Sequence, residues 1–390
     1  IPHDWAIAGP FDKLIDIQYV AIKENNEVKK TEHTGRSGSL PWIGKGEYKT
    51  KFMIPKDCSH AELLFDGAMS EPIVYVNGKE AGRWAYGYNA FRIDVTPYVL
   101  KGNEENELLV KLTNLEESSR WYPGAGIYRP VKLIMTGDVA LDTWGTCVKT
   151  VNADSTQASV CVNAQLRKGC SSSAAKATMS ILDNHHKVLY SQTSVFDASG
   201  NTTVTFKVPN PRLWSPETPE LYYLKTKVYH DNSLCDETLT RFGIRTISVS
   251  KENGFQLNGV TRKLKGVCLH HDLGPLGAAV NRAAIIRQIK ILKDMGCDAI
   301  RTSHNMPSTM QMDVCDSLGM MVMAESFDSW IDRKVKNGYN RFFKEWSDSD
   351  VTNLILNHRN HPSIVMWSMG NEINEQWKPA GVDILKHLMA

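Results

Sequence analysis

The sequence predicts a multidomain chain in which a β-sandwich (jelly roll) is followed by an immunoglobulin-like β-sandwich and the first half of a (β/α)8 TIM barrel. Three observations lead there. Short alternating strands separated by turn residues fill the first third, and the same pattern continues between Asp138 and Ser250. After Gly266, apolar strand runs alternate with amphipathic helical stretches, the mark of βαβ units on a parallel sheet. At 390 residues the chain has length for several buried cores. The expected divisions are residues 1–137, 138–250 and 251–390.

In the first division strands are expected over Tyr48–Ile54, Ala61–Phe65, Pro72–Val76, Phe91–Val95, Glu107–Thr113 and Val131–Met135. The pair Asn77-Gly78 tolerates positive φ and favours a tight hairpin turn. The second division carries Ala158–Leu166, Thr202–Val208 and Tyr222–Tyr229, alternating strands broken by polar and proline-rich segments. In the third, four strands are expected over Leu264–Cys268, Ala299–Ser303, Met320–Glu325 and Ile364–Met369. The first connecting helix shows Ile285, Ile289 and Leu292 on one face and stops at Gly296, a residue suited to the left-handed C′ position. The second carries Met312, Cys315 and Leu318, then Gly319. A third is expected to begin near Ser347, where Asp350 three residues on resembles a capping box, and to bury Val351, Leu354 and Ile355. The repeat stops after four units, and half a barrel would leave an unpaired sheet edge and exposed apolar helix faces. The barrel is therefore expected to continue beyond Ala390.

Composition narrows the function. With 45 basic and 43 acidic residues the formal charge is +2, so no global field draws the chain to nucleic acid or an anionic membrane. Neither is expected as a partner, and a neutral substrate suits this balance. No apolar run reaches the roughly 18 residues of a membrane span. The eight cysteines are scattered from Cys58 to Cys315 without Cys-x-x-Cys spacing, which fits buried thiols rather than a disulfide scaffold. The chain starts at Ile1 without an initiator Met, as it would after loss of a signal peptide or after trimming. A periplasmic and a cytoplasmic location both stay open.

In a (β/α)8 barrel, catalytic groups sit where strands end at the C-terminal face. His270, His271 and Asp272 follow the first strand here, and Ser303, His304 and Asn305 close the second. Glu325 and Asp328 lie at the third; Asn371 and Glu372, then Asn374 and Glu375, follow the fourth. A carboxylic acid beside an amide suits glycoside cleavage, in which a Glu protonates the leaving oxygen and a neighbouring donor holds a sugar hydroxyl. Imidazoles opposite can bond further hydroxyls without permanent charge. A lone strand-end Glu is more often a solvated loop residue, and a lone His is usually structural. The convergence of all four strand ends is what outweighs those readings.

The run Asn360-His361-Pro362-Ser363-Ile364-Val365-Met366-Trp367-Ser368-Met369-Gly370-Asn371-Glu372 resembles the acid/base signature of glycoside hydrolase family 2, in its β-galactosidase-like branch. Similar family patterns recur in Gly266-Val267-Cys268-Leu269-His270-His271-Asp272, in Ile300-Arg301-Thr302-Ser303-His304-Asn305 and in Arg241-Phe242-Gly243-Ile244-Arg245. Upstream, Pro2-His3-Asp4-Trp5, the stretch Ser119 to Arg129 and Leu213-Trp214-Ser215-Pro216-Glu217-Thr218-Pro219 look like the family's sandwich and linker signatures, the first sandwich being sugar-binding-like. The resemblance spans nearly the whole chain.

The resemblance implies a retaining mechanism with Glu372 as general acid/base. Asn371 would bind the hydroxyl next to the reacting carbon, a contact that strengthens in the oxocarbenium-like transition state. His270 and His304 would line the sugar pocket, and Arg301 would keep the nucleophile ionised, unless it serves only as a barrel ion-pair partner. The nucleophilic Glu is expected from a later strand, beyond residue 390, with Glu325 and Glu375 as weaker alternatives. Family members often carry an acidic pair where this chain has Ala324-Glu325, and the stretch Ser326 to Trp330 offers no match to the metal ligands of magnesium-dependent members. No metal and no cofactor are carried over. Trp330 could stack on a sugar face or plug the barrel rim. Homo-oligomers are frequent in the family, although nothing in this chain marks such a surface.

The favoured substrate is a terminal β-galactoside, because the run from His271 to Val280 and the triplet Ser303-His304-Asn305 look most like β-galactosidases. A β-glucuronidase is the runner-up. The rival from another class is a carbohydrate-binding protein whose barrel segment is inert.

Overall fold

The structure is a computed structural model that describes residues 1–9, 17–24, 27–34 and 44–390. Ile17–Glu24 pairs antiparallel with Glu27–Thr34. The first sandwich then pairs a sheet of Gly44–Met53, Glu105–Asn114, Ile73–Val76 and Lys79–Arg83 with one of Phe91–Asp94, His60–Phe65 and Val131–Thr136. Strict alternation along Glu105–Asn114 turns Leu108, Val110 and Leu112 inward. They meet Leu63, Phe65 and Phe91 from the opposite sheet, with the two phenyl rings stacked at 4.7 Å. Asn77 and Gly78 adopt φ of 52° and 77°, the left-handed pair that a two-residue hairpin requires.

The second sandwich faces Cys147–Ala153, Gln157–Gln165 and Asn201–Pro209 against Val188–Val195, Ala175–Leu182, Tyr222–His230 and Ser233–Phe242. Its core is built from Val160, Val162, Met179, Ile181, Phe206, Leu224 and Val228. A small sheet of Ile247–Ser250, Gly254–Leu257 and Val260–Thr261 follows. Its Leu257 packs with Trp214, Ala299 and Met321, closing the floor of the barrel segment.

That segment is a parallel sheet in sequential order: β1 (Gly266–Leu269), β2 (Ala299–Thr302), β3 (Met321–Glu325) and β4 (Ile364–Ser368). Helices α1 (Arg282–Asp294), α2 (Thr309–Leu318), α3 (Phe343–His358) and α4 (Pro379–Met389) alternate with the strands. Asn281 caps α1 by accepting from the Ala284 amide, and Ser308 caps α2 by accepting from Gln311. Helix α3 departs from the sequence expectation. It starts at Phe343, and Ser347 and Asp350 lie buried inside it. The Asp350 carboxylate does not cap; it accepts from Trp84 Nε1 at 2.9 Å, Asn89 Nδ2 at 2.8 Å and the Tyr339 hydroxyl. Two of those partners belong to the first sandwich, so the carboxylate ties that domain to the barrel.

Other buried polar groups reinforce the same junctions. Arg129 of the first sandwich donates to the carbonyls of Met306 and Pro307 as well as to those of Tyr88 and Asp66. Trp214 donates to the Asp316 carbonyl, and Arg245 donates to those of Pro362 and Ile364. These contacts hold the sandwiches in fixed positions around the barrel sheet, which matters because one sandwich loop reaches the strand ends. Among the described residues, no helix is long and apolar enough to cross a membrane.

Candidate active site

All four strand ends converge at one edge of the sheet, and the groups there form one connected network. Strand β4 ends at Ser368, and the chain turns so that Asn371 is buried while the Glu372 side chain is 75% exposed. Glu372 has a φ of 42°, a left-handed backbone uncommon for a residue with a Cβ. The Asn371 amide donates to the Phe327 carbonyl at 2.9 Å, fixing the turn against the loop after β3.

Below this turn lies Glu325, fully buried at the end of β3. Its Oε2 accepts from Arg301 Nε at 2.9 Å, Arg301 Nη2 at 2.6 Å and Ser368 Oγ at 2.6 Å, and its Oε1 meets His304 Nδ1 at 2.7 Å. Three donors hold Oε2 and one imidazole holds Oε1, so Glu325 is committed to orienting its neighbours. Arg301 Nη2 also donates to Asn371 Oδ1 at 2.9 Å, and Asn371 Nδ2 donates to Asp328 Oδ1 at 2.9 Å.

Asp328 in turn accepts from Arg120 Nε at 2.9 Å and Nη2 at 2.6 Å, with Lys334 Nζ at 3.3 Å. Burial would push the Asp328 carboxyl up, but the hydrogen bonds from Arg120 and Asn371 and the charges of Arg120 and Lys334 outweigh it and hold the carboxyl below its ordinary range. Arg120 Nη2 lies 3.7 Å from Glu372 Oε2, which closes the chain of contacts from Glu325 to the exposed carboxylate.

The imidazoles sit on the same side. His270 Nδ1 meets the Ser303 carbonyl at 2.6 Å, which requires that nitrogen to carry a proton, since a carbonyl oxygen only accepts. Trp121 stacks on His270 with centroids 5.1 Å apart and meets His304 edge-on at 5.8 Å. The structure therefore brings Glu372, Asn371, Arg301, His270 and His304 into one constellation.

Other strand-end residues do different work. His271 lies against the Tyr88 and Tyr128 rings, bonds the Pro123 carbonyl, and is driven by burial down to about 3. It is a neutral packing residue. Glu375 accepts from the amides of Ile331 and Asp332 and pins that loop. Trp330 is buried and donates to the Met369 carbonyl at 2.7 Å, so it plugs the rim and offers no face to a sugar. Arg120, Trp121 and Lys334 join the site without being recognisable as site residues from the sequence. The first two stand inside the Ser119 to Arg129 signature, which marks them; no comparable signal marks Lys334.

Three family descriptions match this chain. They are the family 2 glycosyl hydrolase sugar-binding domain over residues 39–137, the family 2 domain over 146–245 and the family 2 TIM-barrel domain over 247–388. The chain belongs to glycoside hydrolase family 2. It is 41% identical to the β-galactosidase BoGH2A of Bacteroides ovatus, over 99% of this chain and 44% of that protein. A β-glucuronidase of Bacteroides fragilis is 27% identical over 85% of this chain and 50% of its own length. The crystal structure of a family 2 member from Bacteroides cellulosilyticus superposes with a TM-score of 0.89 at 34% identity, covering all of this chain and 49% of the other. A β-glycosidase from Bacteroides vulgatus gives a TM-score of 0.89 at 33% identity, over 100% and 48%. The chain thus spans about half the length of the relatives it matches.

Proposed function

We propose that this family 2 chain forms part of a retaining β-glycosidase in which Glu372 is the general acid/base and the substrate is a terminal β-galactoside. The observation that carries this reading is the exposed Glu372 carboxyl standing at the same strand edge as His270 and His304 and next to a buried, fully oriented Asn371. In the first step the Glu372 carboxyl gives its proton to the glycosidic oxygen as the bond to the anomeric carbon breaks. A second carboxylate bonds that carbon. In the second step the Glu372 carboxylate takes a proton from water, whose oxygen displaces the enzyme carboxylate and releases the sugar.

Retention calls for two carboxyls roughly 5 to 5.5 Å apart. Glu325 and Asp328 are committed to arginine contacts, so the nucleophile is assigned to the part of the relatives' length that this chain does not span. Asn371 takes the sugar 2-hydroxyl, and His270 and His304 take other hydroxyls through Nε2. Arg301 compensates Glu325 and keeps the pocket's charge balanced. Galactose is favoured by the similarity to a protein named as a β-galactosidase.

The test uses full-length protein and aryl β-galactosides of differing leaving-group acidity, with an aryl β-glucuronide in parallel. Glu372→Gln is expected to lose about 100- to 10,000-fold on poor leaving groups and far less on activated ones. An equal loss on both would remove the acid role. Turnover of the glucuronide alone would replace the galactoside assignment.

A further inference from the structure

We propose that Asp328 is the positioning residue that orients the Asn371 amide for the sugar 2-hydroxyl, and that Arg120, reaching in from the first sandwich, holds Asp328 in place. This rests on the acid/base and 2-hydroxyl reading above and deepens it.

A primary amide is nearly symmetric in shape, so its working orientation must be imposed by partners of opposite character. Here they are explicit. Arg301 has only donors, and its Nη2 faces Asn371 Oδ1 at 2.9 Å. Asp328 as a carboxylate has only acceptors, and its Oδ1 faces Asn371 Nδ2 at 2.9 Å. The backbone is held too, with the Asn371 N–H on Phe327 O at 2.9 Å and the Asn371 carbonyl accepting from Lys334 Nζ at 2.5 Å. An amide nitrogen carries two hydrogens. With one on Asp328, the second N–H is the remaining donor, and it belongs to the residue directly before Glu372.

Asp328 could not do this alone, because a partly buried carboxylate without compensation would take up a proton and become a donor itself. The fork of Arg120, with Nε at 2.9 Å on Oδ2 and Nη2 at 2.6 Å on Oδ1, is a bidentate clamp that fixes both the charge and the plane of the carboxylate. Lys334 adds a second cation at 3.3 Å. Arg120 lies 208 residues before Asp328, in the loop that leaves Glu105–Asn114 and enters Val131–Thr136. The first sandwich therefore supplies part of the machinery that sets the hydroxyl-binding amide.

The experiment compares kcat/KM for an aryl β-galactoside and its 2-deoxy counterpart, in full-length wild type and in Asp328→Ala, Asp328→Asn, Arg120→Met and Arg120→Lys. The ratio of the two substrates is independent of how much of each variant is folded, because both are read on the same preparation. Wild type is expected to favour the 2-hydroxyl substrate strongly. Asp328→Ala should lose about 100-fold on that substrate and little on the 2-deoxy one, collapsing the ratio. Asp328→Asn and Arg120→Met should fall between, and Arg120→Lys should recover part of the ratio. An unchanged ratio, whatever the absolute loss, overturns the Asp328 assignment and leaves the glycosidase reading standing. A wild type inert to every aryl β-glycoside overturns that reading and this inference with it.

Discussion

Arg301 and Glu325, on the adjacent strands β2 and β3, form a bidentate contact in which Nε and Nη2 of the arginine share Oε2 of the glutamate at 2.9 and 2.6 Å. The glutamate is fully buried and also takes His304 Nδ1 at 2.7 Å, so one carboxylate balances an arginine and orients an imidazole. Removing Glu325 leaves Arg301 without its partner, but that side chain is 29% exposed, so water offsets part of the roughly 3 to 5 kcal/mol that breaking a fully buried pair would cost. Glu325→Leu should lower the melting temperature by several degrees and reduce kcat/KM by more than 100-fold. Adding Arg301→Met should restore much of the stability without restoring activity, because the amide of Asn371 then lacks its donor. Thermal unfolding of the single and double variants checks this, and additive destabilisation would contradict it.

Asp350 predicts a pH effect on the junction between the first sandwich and the barrel. Burial is the largest influence on its carboxyl and raises it to about 7 from 3.8, against hydrogen bonds from Tyr339, Asn89 and Trp84 that lower it. The folded state thus holds the proton more tightly than the unfolded chain. The stabilisation is fully present below about pH 4 and is lost as pH rises through about 7. Asp350→Asn keeps an acceptor for Trp84 and Asn89 and does not titrate. The melting temperature of wild type relative to this variant should fall between about pH 4 and pH 7, and a constant difference across that range would contradict the assignment.

What could be read from the sequence followed how local the determining contacts are. The Asn77-Gly78 turn and the left-handed glycines after α1 and α2 depend on the backbone of a few consecutive residues, and composition alone marks them. Glu372, Asn371, His270 and His304 stand out because each follows a strand of recognisable pattern, whereas Arg301 lies within Ala299–Thr302 and is marked only by the family resemblance. The start of α3 is not legible, since the spacing of Ser347 and Asp350 imitates a cap while the partners of Asp350 include Trp84, 266 residues away. Arg120 and Trp121 stand in a recognisable stretch, yet their task is not readable there for the same reason. Their partners come from another domain, and nothing local shows where a sandwich loop will land.

Trp121 gives the third prediction. It is 7% exposed, lies nearly parallel to His270 at 17° and donates through Nε1 to the Tyr88 hydroxyl at 3.1 Å. The indole fixes the plane of one imidazole and the edge of another. Trp121→Ala should destabilise by about 3 to 5 kcal/mol and raise KM more than it lowers kcat, as the two histidines lose their wall. Trp121→Phe keeps a stacking face but drops the N–H, and should return most of the KM. Steady-state kinetics on the full-length protein distinguishes the two, and a Phe variant as impaired as Ala would show that the hydrogen bond rather than the stacking matters.

The docking of the second sandwich on the barrel can be tested at one glycine with another as control. Gly319 ends α2 with a φ of 69°, and a Cβ there would sit 2.5 Å from the Pro216 carbonyl oxygen. Lys293 Nζ donates to that same oxygen at 3.0 Å and to the carbonyls of Leu318 and Gly319 at 2.6 and 3.1 Å, so α1, α2 and the linker meet at one point. Gly296, just past α1, has a φ of 89° and nothing within 4 Å of a built Cβ. Both alanine variants bear the left-handed backbone penalty of about 1 to 2 kcal/mol. Only Gly319→Ala must also displace the Pro216 backbone, so it should be the more destabilised and should open the linker near Pro216 to limited proteolysis. Equal melting temperatures for the two variants would mean that the close approach at Pro216 does not hold the domains together.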